Sequence, residues 1–442
     1  MNIYAVGGFS EVGKNMSVVE IGEDAFIFDE GFFLPAIVEL QENERERMTE
    51  QKLRKINAIP NDFFIENIRK KVRAQLIGHA HLDHVGAVPF ISNRYDAPIY
   101  GTPFTTAVLD KLINNESIFL KNKIKTIQPN NSFYIEGKSE KYLVEFINIT
   151  HSIPQTSVIA VHTKEGIVVY ANDFKLDDTP TLGLKPNYER LKEIAKIGIK
   201  VLIVDSLYSG ADRKTPSERI AKHLLEEVLF GINKEHSAIF ITTFSSHIAR
   251  LKSIVEFGKK MKREIFFLGR SLSMYCEAAR EIGIAPFLKD VKICSYRRQI
   301  EKAFNEIERK RERCLVVCTG HQGEPGSILE RLSRNQFNFK FREGDNLIFS
   351  SSVIPTDINK ENFAKMEERL KKRKVRIFRD VHVSGHGGRE DLRDLINLLK
   401  PQHIIPSHGE FEKTYPLKEL ALEMSYKQSQ IHQLKDGLKI TL

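Results

Sequence analysis

The stretch His79-Ala80-His81-Leu82-Asp83-His84 places three imidazoles and a carboxylate in six positions, a density of metal-ligating side chains that chance clustering of the 14 histidines does not supply. Before it, Ala74-Gln75-Leu76-Ile77-Gly78 is a short apolar run ending in glycine and reads as a buried strand; after it, Val85-Gly86-Ala87-Val88-Pro89-Phe90 resumes an apolar pattern. The ligands therefore occupy a strand-to-helix loop. In extended backbone, side chains two apart share a face, so His79 and His81 can grip one ion while Asp83 and His84, on the next turn, reach a second. Two adjacent ions point to hydrolysis rather than to structural zinc, which sits in closed sites built mostly from cysteine.

Four residues do not complete two metal shells, so later strand ends should supply more ligands. His151 follows the apolar Tyr142-Leu143-Val144-Glu145-Phe146-Ile147-Asn148-Ile149, Asp173 follows Gly166-Ile167-Val168-Val169-Tyr170-Ala171-Asn172, and His408 follows His403-Ile404-Ile405-Pro406-Ser407. As an ordered set, they complete the pattern.

This set resembles the metallo-β-lactamase superfamily, whose HxHxDH motif HAHLDH matches. The resemblance implies an α/β fold, an αββα sandwich, with His79, His81 and His151 on one zinc ion, Asp83, His84 and His408 on another, and Asp173 bridging the two. Asp83 would then serve catalysis as well as binding. Asp29, in Phe26-Ile27-Phe28-Asp29-Glu30-Gly31, resembles the superfamily's first motif, a carboxylate that steadies the histidine loop. Imidazole and carboxylate ligands suit manganese as well as zinc.

The 442 residues suffice for two or three domains, and 41% hydrophobic with 28% charged residues is a globular composition. The first residues lack the basic and apolar regions of a signal peptide, and no run has the length of a membrane span, so a cytoplasmic location without membrane contact is expected. Cys276, Cys294, Cys314 and Cys318 form no CxxC pair and read as buried, reduced thiols. The net charge of +9 permits an anionic partner. Its visible basic runs, at 69–73, 259–263, 309–313 and 371–374, precede strands and read as helix C-termini favoured by the dipole rather than as a nucleic-acid path.

The first 150 residues carry strand-like runs, including 17–21 and 25–28, and a charged, helical stretch near 39–55. From about Val201 strand and helix alternate. Thr215-Pro216-Ser217-Glu218 has the form of a capping box with proline at the first helical position, and Ile220, Leu224 and Val228 recur every four residues until Gly231. Strands at 237–243, 264–268, 314–318 and 346–350 and helices at 248–257 and 274–282 predict a doubly wound parallel sheet. A helix at 359–374, a strand at 375–384, a helix at 389–400 and a strand at 402–406 deliver His408. Because the other ligands precede this block, it must be inserted into the metal domain: 1–200 and 376–442 form the metal domain and 201–375 the insertion.

Parallel sheets bind ligands beyond the C-terminal ends of their strands. Those ends carry Phe244-Ser245-Ser246-His247 and, around His321 and Gly323, Thr319-Gly320-His321-Gln322-Gly323; hydroxyls and glycines at helix N-termini offer N–H groups to phosphate. Asp380-Val381-His382-Val383-Ser384-Gly385-His386 adds two histidines close to the last metal strand, suited to phosphate binding or general-acid chemistry.

Together these features resemble the β-CASP nucleases, which carry such an insertion, with Asp205, His386 and His408 matching their motifs A, B and C. A motif C histidine implies RNA rather than DNA. Within that branch, Gly7-Gly8, Glu11-Val12-Gly13-Lys14-Asn15 and Gly323-Glu324-Pro325 resemble the ribonuclease J family, and the ending soon after His408 resembles its shorter archaeal members. His247 and His321 stand where bacterial members often have other polar residues. The resemblance implies a two-zinc 5′-to-3′ exoribonuclease acting on single-stranded, 5′-monophosphorylated RNA, a homodimer, and RNA-decay or ribosome-associated partners. His386, oriented by Asp205, would protonate the leaving oxygen, while His382, Ser384, Gly385, His386, Phe244, Ser245, Ser246, His247, His321 and Gly323 contact substrate. An endonuclease of the cleavage-factor type, a non-catalytic RNA-binding subunit and a small-molecule metallohydrolase are the competing readings.

Overall fold

The computed structural model describes residues 1–39, 48–232, 237–354 and 357–442. Two sheets form the metal domain. The first has seven strands in the order Leu438–Thr441, Asn2–Gly7, Met16–Ile21, Asp24–Phe28, Val72–Leu76, Ile99–Gly101 and Ile124–Thr126. The second has six, in the order His403–Ser407, Ile199–Asp205, Gly166–Ala171, Ser157–Thr163, Lys141–Asn148 and Asn131–Glu136.

Alternation along each strand builds the layers. Phe26, Phe28, Ala74 and Leu76 of the first sheet meet Phe146, Ile159, Val168, Tyr170 and Ile203 of the second in one buried core. The opposite face of the second sheet, with Val169, Leu202 and Ile404, is covered by Leu191, Leu395 and Leu420 from helices Tyr188–Ile197, Arg389–Leu399 and Phe411–Glu423. Val18 and Ile27 on the outer face of the first sheet pack on Leu53, Ile65 and Ile91. The result is the αββα sandwich.

The third sheet runs Val291–Cys294, Glu264–Leu268, Cys314–Cys318, Ile239–Thr242, Asn346–Phe349 and Arg376–Phe378, and all of its pairs are parallel. Helices bury both faces, so its inner strands Cys314–Cys318 and Ile239–Thr242 are fully buried, while the edge strands Val291–Cys294 and Arg376–Phe378 carry the exposed Lys292 and Arg376. Its core also takes in Ala80, Phe104 and Ile153 of the metal domain. Among the described residues no helix is long and apolar enough to cross a membrane.

Some local expectations shift. Strand Ile199–Asp205 pairs with Gly166–Ala171 and His403–Ser407, so a boundary at 201 falls inside a metal-domain strand; Arg376–Phe378, beyond 375, completes the third sheet. Helix Glu218–Gly231 starts after Ser217, whose side chain caps Arg219 N–H, leaving Pro216 outside it. That helix buries Ala221, Leu225 and Leu229, while Ile220 and Leu224 face solvent. Only Arg376–Phe378 of 375–384 is strand, and His382 and His386 lie in a loop. Of the helical stretch at 39–55, residues 40–47 lie outside the described residues; Leu34–Glu39 and Glu50–Lys55 are helices. The basic runs do close helices, with Arg69 to Lys71, Lys259, Lys260, Arg309 and Lys371 in last turns. Cys276, Cys314 and Cys318 are buried, and all four cysteines are unbonded.

Candidate metal centre

Five strand ends converge beside the insertion. His79, His81, His151 and Asp173 bring one ligand atom each to within 4.8 Å of one another, and Asp83, His84, Asp173 and His408 do the same. A third group, Asp173, Asp205 and His386, shares the same aspartate. Asp173 Oδ2 stands 3.4 Å from Nε2 of both His79 and His151 and 3.2 Å from Nε2 of His84.

Hydrogen bonds at the far side of the His151, His84, His408 and His81 rings decide which nitrogen faces the centre. The carbonyl of Gly385 only accepts, so His151 donates from Nδ1 at 2.7 Å and keeps Nε2 as a lone pair. Asp29 Oδ2 takes the Nδ1 proton of His84 at 2.7 Å, and Asn15 Oδ1 that of His408 at 3.0 Å. His81 is turned the other way: its Nε2 meets Ser246 Oγ at 3.0 Å, leaving Nδ1 3.2 Å from His79 Nε2 and 3.1 Å from His151 Nε2. Three ring nitrogens gathered this closely converge on one point with Asp173, an arrangement that suits a cation held between them.

The electrostatics agree. Burial drives His81 and His151 well below the ordinary histidine range, so both are neutral. Burial opposes ionisation of Asp173, yet the surrounding His408, His84 and His386 hold its carboxyl well below the usual range. Its buried Oδ1 has no hydrogen-bond partner among the described residues. An ionised, buried carboxylate with an unused oxygen beside the neutral rings of His81 and His151 is a donor set that fits divalent cations.

Backbone strain accompanies this geometry. Asp29, Asp173 and His408 adopt φ of 59°, 60° and 62°, left-handed conformations that cost about 1–3 kcal/mol each. Hydrogen bonds hold them: Asp29 Oδ1 accepts Gly78 N–H at 2.8 Å, and His408 N–H donates to Gly8 O at 2.6 Å.

His386 lies beside the ligands, its ring 4.8 Å from that of His151 and 5.5 Å from that of His408. Its Nδ1 meets Asp205 Oδ2 at 2.8 Å, its carbonyl accepts Thr215 Oγ1–H and its N–H donates to Ser384 Oγ. Burial disfavours the imidazolium, but Asp173 and Asp205 outweigh it and push His386 up to about 9.

The insertion's loops reach the same place unevenly. Ser246 touches His81, and the Phe244 ring lies 4.4 Å from His321 and 6.0 Å from His382. Ser245 Oγ meets Ser271 Oγ near the surface. His382 Nδ1 and His321 Nε2 are buried without partners among the described residues. Two expected phosphate contacts are used otherwise. His247 is 2% exposed, with Nδ1 accepting Arg250 N–H and Nε2 3.3 Å from Glu218, so no ring nitrogen remains for a phosphate. Gly323 donates its N–H to Gly320 O and lies where a Cβ would come within 2.7 Å of the Asn362 carbonyl; it serves turn and helix packing.

Sequence reasoning missed Asn15, Asn172 and Tyr170. Asn15 Nδ2 donates to Asp83 O, while Asn172 Nδ2 donates to Asn15 Oδ1 and Tyr170 Oη. Tyr170 Oη donates to Asp29 Oδ2 at 2.7 Å. One polar net thus orients ligands from three strand ends. The adjacency of Asn172 to Asp173, and of Asn15 to a glycine-rich loop, is the only sequence signal for it.

Residues 10–174 match the model of the metallo-β-lactamase superfamily, 236–370 that of the ribonuclease J β-CASP domain and 372–431 that of a Zn-dependent metallo-hydrolase RNA specificity domain. A ribonuclease J of Pyrococcus abyssi is 40% identical over 96% of this chain and 93% of its own, and one of Methanocaldococcus jannaschii is 38% identical over 99% and 98%. A solved structure from Enterococcus faecalis, of unknown function, shares the fold at a TM-score of 0.65 and 15% identity over 100% of this chain and 99% of its own. With the β-CASP insertion set in a metallo-β-lactamase sandwich and such relatives matched along nearly their full length, the chain belongs to the ribonuclease J family.

Proposed function

We propose that the protein is a two-metal ribonuclease that removes nucleotides from the 5′ end of single-stranded, 5′-monophosphorylated RNA. The meeting of two ligand sets at Asp173, with the His386–Asp205 pair beside them, carries this reading. His79, His81 and His151 would hold one ion, Asp83, His84 and His408 the other, and Asp173 both. When bound, two zinc or manganese ions would supply an activated water and stabilise the charge that develops on the phosphoryl oxygens.

The chain's own residues do the rest. Asp205 holds the Nδ1 proton of His386, so the imidazolium can release its Nε2 proton to the leaving 3′ oxygen. His382, Ser384 and Ser245 would hold flanking phosphates, and Phe244 offers a ring face to a base. The sheet pairing supports an insertion spanning about 206–378. Zinc as the resident metal, a homodimer and a cytoplasmic location complete the proposal; metal analysis and light scattering of the purified protein test the first two.

The deciding experiment follows product length over time from 5′-labelled, monophosphorylated RNA with zinc or manganese. Labelled mononucleotide from the earliest point, without labelled intermediates, is the expected result. Discrete longer labelled fragments would make the protein an endonuclease instead.

A further inference from the structure

Arg250 is fully buried, yet it does not lie in the metal centre. Its Nε and Nη2 donate to Glu218 Oε1 and Oε2 at 2.6 and 2.8 Å, a two-pronged pair. Its Nη1 donates to Ser350 O at 2.9 Å, Ser350 Oγ at 2.6 Å and Val381 O at 3.3 Å. Arg250 sits in the first turn of helix Ile248–Lys260, which opens directly after Phe244-Ser245-Ser246-His247; Val381 precedes His382 and Ser384. One guanidinium therefore ties both proposed phosphate-holding loops together.

Glu218 extends the tie to the metal domain. Its N–H donates to Asp177 Oδ2 at 2.8 Å, and Asp177 N–H donates to Thr150 Oγ1 at 3.0 Å. Thr150 adjoins His151, and Asp177 is four residues past Asp173. Buried ion pairs add little stability compared with apolar packing, whereas they fix geometry where both partners are fully hydrogen-bonded. A lysine could keep the charge but not the planar fork that serves Glu218 and two carbonyls at once.

We infer that the Arg250–Glu218 pair is a positioning clamp that sets the distance between the phosphate-holding loops of the insertion and the metal centre, and so the register in which the 5′ end of RNA is held. This rests on the reading under Proposed function. It makes Arg250 a positioning residue for substrate, acting through the loops of Ser245 and His382.

The test compares wild type, Arg250→Lys and Ser350→Ala on one RNA prepared with a 5′ monophosphate or a 5′ hydroxyl, with metal content and melting temperature measured in parallel. Arg250→Lys should lower kcat/KM on the monophosphate about 10-fold or more, chiefly through KM, and lower the monophosphate-to-hydroxyl preference; mispositioning on the ångström scale has effects of that order. Metal content should stay at the wild-type value, and the first product should become a mixture of lengths. Ser350→Ala, which removes one prong and keeps the ion pair, should move the same readouts less, and it carries the test if Arg250→Lys does not fold. Wild-type preference and product length in a folded variant, even with a lowered melting temperature, would overturn the clamp and leave the pair purely structural. A wild type indifferent to the 5′ group would overturn the exonuclease reading alone; a raised KM for RNA at unchanged kcat in the variants would still support the clamp, and an unchanged KM would overturn it.

Discussion

Asp205 Oδ2 lies 2.8 Å from His386 Nδ1, joining the last residue of strand Ile199–Asp205 to a loop 181 positions away. The pair spans the point where the chain leaves the metal domain and the point where it returns, so both domains must be docked before the imidazole is oriented. His386→Ala should lower kcat by about 10²–10⁴-fold, with metal content and KM for RNA close to wild type. Asp205→Asn should lower it less, because the amide still accepts the Nδ1 proton without favouring the imidazolium. Single-turnover cleavage of a labelled RNA measures both; equal rates in wild type and His386→Ala would remove the histidine from the chemistry.

The legible parts of this site are the short-range ones. His79, His81, Asp83 and His84 declare themselves by spacing, and the strands that deliver His151, Asp173 and His408 by apolar runs. Asn15 and Tyr170 are opaque because their partners, His408 and Asp29, lie 393 and 141 positions away. Helix Glu218–Gly231 carries two apolar rows one residue apart, Ile220-Leu224-Val228 and Ala221-Leu225-Leu229, and only its docking selects the second. His247 follows a strand as a phosphate ligand would, but the buried Glu218 opposite it exists only in three dimensions.

Asp173 belongs to both ligand sets, which separates it from its neighbours. Asp173→Ala should lose both ions, whereas Asp83→Ala should weaken one and retain the other through His79, His81 and His151. Both should abolish cleavage. Metal per chain, measured by mass spectrometry after gel filtration, distinguishes them; one retained ion in Asp173→Ala would mean that the aspartate is not shared. Chelation should likewise lower the melting temperature, since an ion at 100 times its Kd adds about 2.7 kcal/mol.

Gly31 stands where a Cβ would lie 1.6 Å from Asp83 O and 2.7 Å from His84 N. The helix bearing two ligands is thus seated directly on a glycine. Gly31→Ala should cost about 3 kcal/mol or more and reduce metal content, because the displaced backbone carries the ligands themselves. Gly231, with nothing within 4 Å of its added Cβ, is the control: Gly231→Ala should change stability by less than about 1 kcal/mol. Denaturant titration with metal analysis checks both.

Asp436 ties the C-terminal segment to the glycine-rich loop: Oδ1 accepts Phe9 N–H at 2.9 Å, and Oδ2 lies 3.6 Å from Lys14 Nζ, which also pairs with Glu11 at 3.0 Å. Burial, then the neighbouring Glu11 carboxyl, pushes Asp436 up to about 7, against the Phe9 N–H and Lys14. An unfolded aspartate titrates near 3.9, so the native state binds this proton more tightly than the unfolded chain does. Stability from this group is therefore complete below about pH 4 and is lost as pH rises through about 7. The amide introduced by Asp436→Asn would be neutral throughout and would still accept from Phe9. That variant should thus gain stability relative to wild type on moving from pH 5 to pH 8, by about 1 kcal/mol once charge sharing with Glu11 is allowed for. Urea unfolding of both proteins at the two pH values reads this difference directly, and a pH-independent offset would show that the Asp436 proton is not held by the fold.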